Sequence, residues 1–475
     1  MMSALRVLAA GLLIPALLAL SRPARGDENA DLELIPGAVR EAQAGEAAAP
    51  APPANTNHRG FLEESATAYG YRTDLLVPLP PQSRADWQER LSLDRRDDWT
   101  LRPHLHAVYS GRLNVIGQDN LTWPSDQNFR HDLREGYFSW EPFTRTYLDA
   151  GRINLKSGVA AGFNPTDFFK TRAVVDVVSQ DPSVLRENRL GTAMVRLQEV
   201  WSGGSVTLAF APQFYQPTAV YNTDDLPSVD PMFDRTNAAQ RVLLKGSVDL
   251  PGDVSPELLV YQENTRTTYG ANLTYTLGRS VVTYLEWAGG NRGSLITEAI
   301  AYGKQTRTLP EQAPQLLPGD TATSFQQDVA VGASYATESK ITFNLEYDYH
   351  QAGFTQQDWD NWFSTGQAFR QSVPVTGELW YIRAYAQEQL EPISRESYLL
   401  RADWTDALVR DLELVGLAIV NAYDGSSLVQ FTASYYLSSR WTIGALAVAE
   451  AGSPHSERGS LPQESSLVLK AIRYF

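Results

Sequence analysis
Between residues 152 and 189 an acidic chain turns basic. Arg152, Lys156, Lys170, Arg172, Arg186 and Arg189 stand there against Asp167, Asp176, Asp181 and Glu187. Guanidinium groups hold carboxylate, sulfate or phosphate groups through paired hydrogen bonds, and an ammonium adds a compact point charge. If such a cluster is enclosed by low-dielectric walls, it concentrates anions by focusing the field. The competing arrangement is internal, with the bases pairing to nearby acids and filling a polar interior. Arg134, Arg196, Arg241, Lys245, Arg383 and Arg401 are further cations, with Glu286, Glu346 and Asp348, at positions whose neighbours alternate in polarity. In Phe163-Asn164-Pro165-Thr166-Asp167-Phe168-Phe169, the Asn-Pro pair marks a turn. Asp167 is placed to cap a short helix, and the two Phe rings are placed to pin the segment to a wall.

The rest of the chain offers little other chemistry. It has no Cys, which excludes disulfides, zinc–thiolate sites, iron–sulfur clusters and thiol catalysis. His104 and His106 are two apart, but no third ligand has readable spacing, and Asp224, Asp225, Asp230 and Asp234 lack the Gly of a calcium loop. No metal or cofactor is expected. No nucleophile elbow, zincin motif, phosphate loop or dinucleotide fingerprint is present, so no enzyme is expected. The formal net charge of -15 argues against nucleic acid as a partner.

The elements that must position these charges are strands. In 340–349, Ile341, Phe343, Leu345, Tyr347 and Tyr349 share one face, while Lys340, Thr342, Asn344, Glu346 and Asp348 share the other. Residues 269–277 and 429–437 alternate in the same way. The dyads persist for about ten residues, the length that crosses a bilayer when tilted. Further candidates from 87–95 through 99–110, 145–156, 189–200, 376–388 and on to 465–475 bring the expectation to about 16–18 strands. Trp287, Tyr335, Tyr349, Trp380, Trp404 and Trp441 fall at or near strand ends. Alternation runs for nearly four hundred residues without a domain break, which disfavours soluble sandwiches of roughly 100 residues each. The predicted fold is all-β: a closed antiparallel transmembrane barrel over 86–475. Strand-length counting leaves the long connections 350–375 and 450–464 on opposite rims, which requires at least one strand to be misplaced.

Ahead of the strands, residues 1–26 read as a signal peptide: Arg6, then an uncharged apolar run from Val7 to Leu20, then Ala24-Arg25-Gly26. Residues 27–85 are rich in Ala, Pro, Gly and Glu early on and carry Pro78, Pro80 and Pro81 later. They are expected to be disordered or irregular, with a plug as one use for them. Asp358-Trp359-Asp360-Asn361-Trp362-Phe363 is expected to open a short helix capped by Asp358.

With its signal peptide, strand dyads, long loops and terminal Phe475, the chain resembles Gram-negative outer-membrane barrels. In that resemblance Phe475 is the membrane-insertion signal read by the barrel-assembly machinery, although Arg473 stands where a second apolar residue is usual. Tyr147-Leu148-Asp149-Ala150-Gly151-Arg152 followed by a long segment resembles the porin strand whose loop folds into the lumen. The resemblance implies a cell outer-membrane location after export through the periplasm. It also implies contact with outer-membrane lipids and lipopolysaccharide, and a channel passing small hydrophilic solutes, with anions favoured by the basic segment. An export barrel for a polymer such as an acidic polysaccharide would use the same lining, and an outer-membrane enzyme ranks lower. The constriction residues expected on this basis are Arg152, Lys156, Lys170, Arg172, Asp167, Arg186, Arg189, Arg196, Arg383 and Arg401.

Overall fold
A computed structural model describes residues 58–175, 177–220, 230–319 and 322–475, apart from the side chain of Asp126. The expected signal peptide, the first part of the expected irregular segment, Asp176, Asp224 and Asp225 lie outside the described residues. Eighteen strands, β1–β18 in chain order, form one sheet in which each is antiparallel to its neighbours. Strand β1 (His58–Tyr71) pairs on one side with β2 (Trp87–Arg102) and on the other with β18 (Gln463–Tyr474), which closes the cylinder. Closure leaves no open edge; in hydrocarbon each unpaired backbone group would cost several kcal/mol.

The pleat sorts the side chains as the dyads require. Phe343, Leu345, Val429, Phe431, Leu467 and Leu469 point out and are exposed, whereas Asn344, Glu346, Asp348 and Gln430 point in and are buried. Outward aromatics ring both ends. Trp99, Trp140, Trp201, Tyr335, Tyr435 and Trp441 lie near one rim, and Tyr269, Phe325 and Tyr398 near the other. A bilayer-spanning barrel has this organisation: an apolar outer band, aromatic girdles and a polar interior.

Three expected elements are corrected, the first being the expected strand 99–110, which straddles the 103–104 turn between β2 and β3 (Leu105–Gln118). Residues 58–71, expected to be irregular, form β1 and are wall rather than plug. The outward side of β1 carries Leu62, Glu64, Ala66 and Ala68, so it lacks the bulky alternation that announces the other strands. Pairing along both edges, from Phe61↔Tyr474 to Tyr71↔Gln463 and from His58↔Asp97 to Ala68↔Trp87, imposes the extended state that its own residues signal weakly. Conversely, the expected strand 376–388 lies within a helix, Val373–Gln389. Its aromatic and β-branched content imitates a strand, but its fully buried Leu379, Ile382 and Ala386 recur at helical spacing. With β1 added and that strand removed, the long connections 72–86, 154–191, 212–240, 293–323, 351–395 and 452–462 all open at one rim. Turns such as 103–104, 144–145, 202–203 and 439–440 lie at the other rim, together with Phe475.

Among the described residues, five α-helices sit in the long connections: α1 (Pro182–Glu187), α2 (Phe233–Thr236), α3 (Leu295–Gln305), α4 (Gln356–Ala368) and α5 (Val373–Gln389). Helices α3, α4 and α5 share an apolar core with Val77, Phe354 and Leu317 at the long-loop rim. The N-cap of α4 is Thr355, and Asp358 is its partner in a capping box, three residues later than a cap. Trp359, Trp362 and Phe363 are buried in this core rather than offered to a solute. Trp380, expected as a girdle residue, belongs to the same core.

At the C-terminus Leu467, Leu469, Ala471 and Phe475 share the outward register, and Phe475 is exposed. Its backbone N–H donates to Gly60 O at 3.1 Å, so the last residue is tied to β1.

Candidate functional site
The connection between β5 (Thr146–Ile153) and β6 (Thr192–Trp201) does not leave the barrel; it crosses the lumen. Its departure point is fixed by Gly151 and Arg152. Gly151 has φ +138°, and a Cβ there would lie 2.4 Å from Gly136 O, so only glycine fits. The Arg152 guanidinium is buried. Its Nε donates to Gly191 O at 2.8 Å, another nitrogen donates to Pro231 O, and the group lies 4.9 Å from the Phe233 ring centre. Arg152 therefore staples both ends of the crossing segment to the 212–240 loop.

The segment is then received by two lumenal carboxylates. Glu286 on β11 (Val281–Arg292) accepts from Val159 N at 2.8 Å, Ala160 N at 3.0 Å, Thr166 N at 2.7 Å and Thr166 Oγ1 at 2.9 Å. Glu346 on β13 (Ile341–His350) accepts from Ala161 N at 2.7 Å, Gly162 N and Phe163 N at 3.0 Å each, and Tyr284 Oη at 2.7 Å. Both residues are wholly buried, and among the described residues neither forms an ion pair. Backbone N–H and hydroxyl groups supply these contacts, and hydrogen bonds to a carboxylate in a water-poor interior fix the register of the loop. Gly158 has φ +90°, and a Cβ there would stand 2.6 Å from Glu286 Oε1; the backbone can approach the carboxylate because no side chain intervenes.

Beyond this clamp, Phe168 stacks on Tyr261 at 4.5 Å and Phe169 meets the same ring edge-on at 5.9 Å, as the sequence suggested. Asp167 does not cap a helix. It accepts from Arg189 Nη1 at 2.7 Å and Nη2 at 3.2 Å, and lies 3.7 Å from Arg186 Nε. Burial alone would raise the Asp167 carboxyl, but the two arginines hold it below the ordinary carboxylate range. The anchoring it provides is present above that range and is lost as pH falls through the depressed value. Burial pushes the Lys170 ammonium down; it donates to Asn164 O at 2.8 Å and lies over Phe163 at 4.2 Å. Arg172 is buried at Glu388 of α5, Nε to Oε2 2.9 Å, and Arg235 takes the other oxygen of Glu388 at 3.0 Å.

From there the chain reaches the opposite wall. Val178 packs beside Leu428, Leu446 and Val468, and Gln180 N donates to Gln430 Oε1 at 2.7 Å. Arg401 holds Asp181 at 3.0 Å and Asp403 at 3.3 Å, while Asp181 caps α1 by accepting from Ser183 N. The structure thus brings Arg152, Asp167, Lys170, Arg172, Arg189 and Arg401 into one lumenal scaffold. The expectation that Arg152 and Arg172 line the opening is replaced: both are sealed within that scaffold. Arg383 is displaced further. It lies on α5 in the rim core, within 5.3 Å of the Trp359, Trp362 and Trp380 ring centres, and donates to Glu457 O and Ser460 Oγ.

A second group keeps its side chains in the open. Lys156 is 33 % exposed beside Glu187 at 44 %, and Arg186 is 26 % exposed, against 1 % for Arg189. Arg96 pairs with Glu135 at 3.3 Å, and Arg196 pairs with Asp149 at 2.6 Å. Arg96, Lys156 and Arg186 all act on Glu187, so they share one electrostatic neighbourhood. Residue type and local spacing did not mark Glu286, Glu346, Tyr261, Glu388 and Gln430 as anchors. The lumenal phase of Glu286, Glu346 and Gln430 was legible and that of Tyr261 and Glu388 was not, and the partner of each is a backbone or side chain distant in sequence.

No family model matches the chain. Among solved structures it is similar to Pseudomonas aeruginosa OccK5 (OpdH), at 9% identity over 88% of this chain and 98% of that one, with a TM-score of 0.47. It is also similar to Pseudomonas aeruginosa OccK11 (OpdR), at 11% identity over 88% and 95% of the two chains, TM-score 0.46. Salmonella typhi OmpF, in a complex with daunomycin, follows at 8% identity over 88% and 97%, TM-score 0.39. The closed strand ladder, not these likenesses, establishes the barrel.

Proposed function
We propose that the protein is an outer-membrane channel for small hydrophilic solutes, narrowed by the 154–191 segment and biased toward anions. The observation that carries this reading is a closed barrel, apolar outside and charged inside, whose lumen is crossed by a segment clamped to Glu286 and Glu346. The aromatic girdles suit insertion between lipid and lipopolysaccharide, and outward Phe475 suits delivery by the barrel-assembly machinery. The bias rests on Arg96, Lys156, Arg186 and Arg196, whose side chains stay partly open to water, rather than on the arginines sealed within the scaffold. Fixed positive charge in a narrow aqueous passage favours anion entry.

Replacing Lys156 and Arg186 together by Ala should lower the anion-over-cation permeability ratio. Each partly exposed charge is worth up to about 1 kcal/mol, a factor of about five, so loss of the two should lower the ratio by about fivefold or more, up to about twenty-fivefold. Reversal potentials across a salt gradient measure it directly. A wild-type channel that already prefers cations would sink the anion assignment and leave the basic segment as internally paired filling.

A further inference from the structure
A separate site lies at the long-loop rim. A cavity of about 210 Å³ opens where β11, β12 (Ser324–Ala336), β13 and β14 (Glu396–Trp404) meet the first turns of α3 and α4. Its lining includes Ser294, Gln326, Gln351, Asp358 and Arg395, and no residue of the 154–191 segment.

The polar groups of this cavity are incompletely matched. The backbone of Arg395 is fixed, with N donating to Phe354 O at 2.9 Å and O accepting from His350 N at 2.7 Å. Its guanidinium forms no hydrogen bond or ion pair among the described residues, and Nε is sealed from solvent without a partner. A buried donor left unmade is costly, and native structures usually supply an acceptor, whether protein, water or ligand. Asp358 uses Oδ2 for the α4 capping box, accepting from Thr355 N at 2.8 Å and Thr355 Oγ1 at 2.7 Å. Its Oδ1 has no partner among the described residues. Gln351 accepts from Gln327 N through Oε1, which leaves its NH₂ to donate; Gln326 donates to Ser324 Oγ through Nε2, which leaves its carbonyl to accept. The lining of this cavity therefore offers a guanidinium and an amide N–H as donors, and a carboxylate oxygen and an amide carbonyl as acceptors.

We propose that this cavity binds a compact zwitterion, with its anionic group on Arg395 and Gln351 and a primary ammonium on Asp358 and Gln326. A simple anion would meet the Asp358 carboxylate, and a simple cation would leave the guanidinium unmatched. The volume equals about seven water volumes, enough for a group of amino-acid or phosphoethanolamine size and too little for an oligosaccharide. Two sources share this chemistry: a free amino acid, and an ethanolamine headgroup reaching in at the height of the outward Phe325–Trp287 pair.

The test is titration calorimetry on the purified full chain in detergent, with glycine and O-phosphoethanolamine as probes and acetate and ethylammonium as single-charge controls. Emission from Trp359, next to Asp358, gives a second readout. Saturable binding of a zwitterionic probe should weaken about tenfold or more in both Arg395→Gln and Asp358→Asn, since each removes one charge-assisted contact. Asn at 358 keeps an oxygen for the helix cap, and Arg395→Lys should recover part of the affinity. Binding of glycine alone identifies a free solute, and binding of O-phosphoethanolamine alone identifies a headgroup. Acetate binding as tightly as glycine, indifference to Asp358→Asn, or no binding of either zwitterion at millimolar concentration overturns the proposal. Unchanged heat-modifiable migration and conductance in Arg395→Gln would separate a lost ligand from a lost fold.

Discussion

Deleting His58–Tyr71 should abolish the folded barrel altogether. β1 is antiparallel to both β18 and β2, so without it those two strands run in the same direction and cannot close as an antiparallel pair. The loss is two complete ladders, not one side chain. In lipid each orphaned backbone group costs several kcal/mol, far beyond what a domain's net stability of about 5–15 kcal/mol can absorb. The deletion variant should show no heat-modifiable band on a detergent gel and should be digested by proteases that leave the intact protein alone. A compact, heat-modifiable product would mean that β1 is an accessory and that the closure described here is wrong.

The second large effect concerns the clamp. Replacing Glu286 and Glu346 together by Ala removes the acceptors of six backbone N–H groups and two hydroxyls. Leaving such donors buried costs about 1–3 kcal/mol each, so the segment will leave the wall and take its donors to water. The barrel ladder is untouched, and the change should be local. Single-channel conductance should rise, and trypsin should gain access to Lys170 and Arg172. Isosteric Glu→Gln changes should have a smaller effect, because each amide keeps one accepting oxygen while turning an NH₂ toward donors. If the Ala pair conducts like wild type and stays protease-resistant, the two carboxylates do not hold the segment in place.

The parts of this architecture that were legible in sequence share a cause. Residues Ile341–Tyr349 announce their strand because one face must meet lipid and the other water, and that demand is written residue by residue. β1 escaped notice because Ala66, Ala68 and Glu64 carry little of that contrast; its state is set by partners more than 300 residues away at Ile472 and Leu467 and by nearby β2. The helix Val373–Gln389 misled in the other direction, since Trp380, Tyr381, Ile382 and Tyr385 favour strands in isolation and are helical here because they complete the rim core. In the lumen, the inward segment was visible from its basic composition and from Gly151-Arg152. The division of labour within it was not. Whether an arginine is sealed like Arg189 or open like Lys156 depends on the distant acid that meets it.

Planar-bilayer recording of the purified full chain tests the central claim most directly. Discrete, ohmic conductance steps in simple salt, a preference for anions, and larger steps once Glu286 and Glu346 are replaced are the expected result. Insertion of a heat-modifiable barrel that stays electrically silent, in wild type and clamp variant alike, would contradict it.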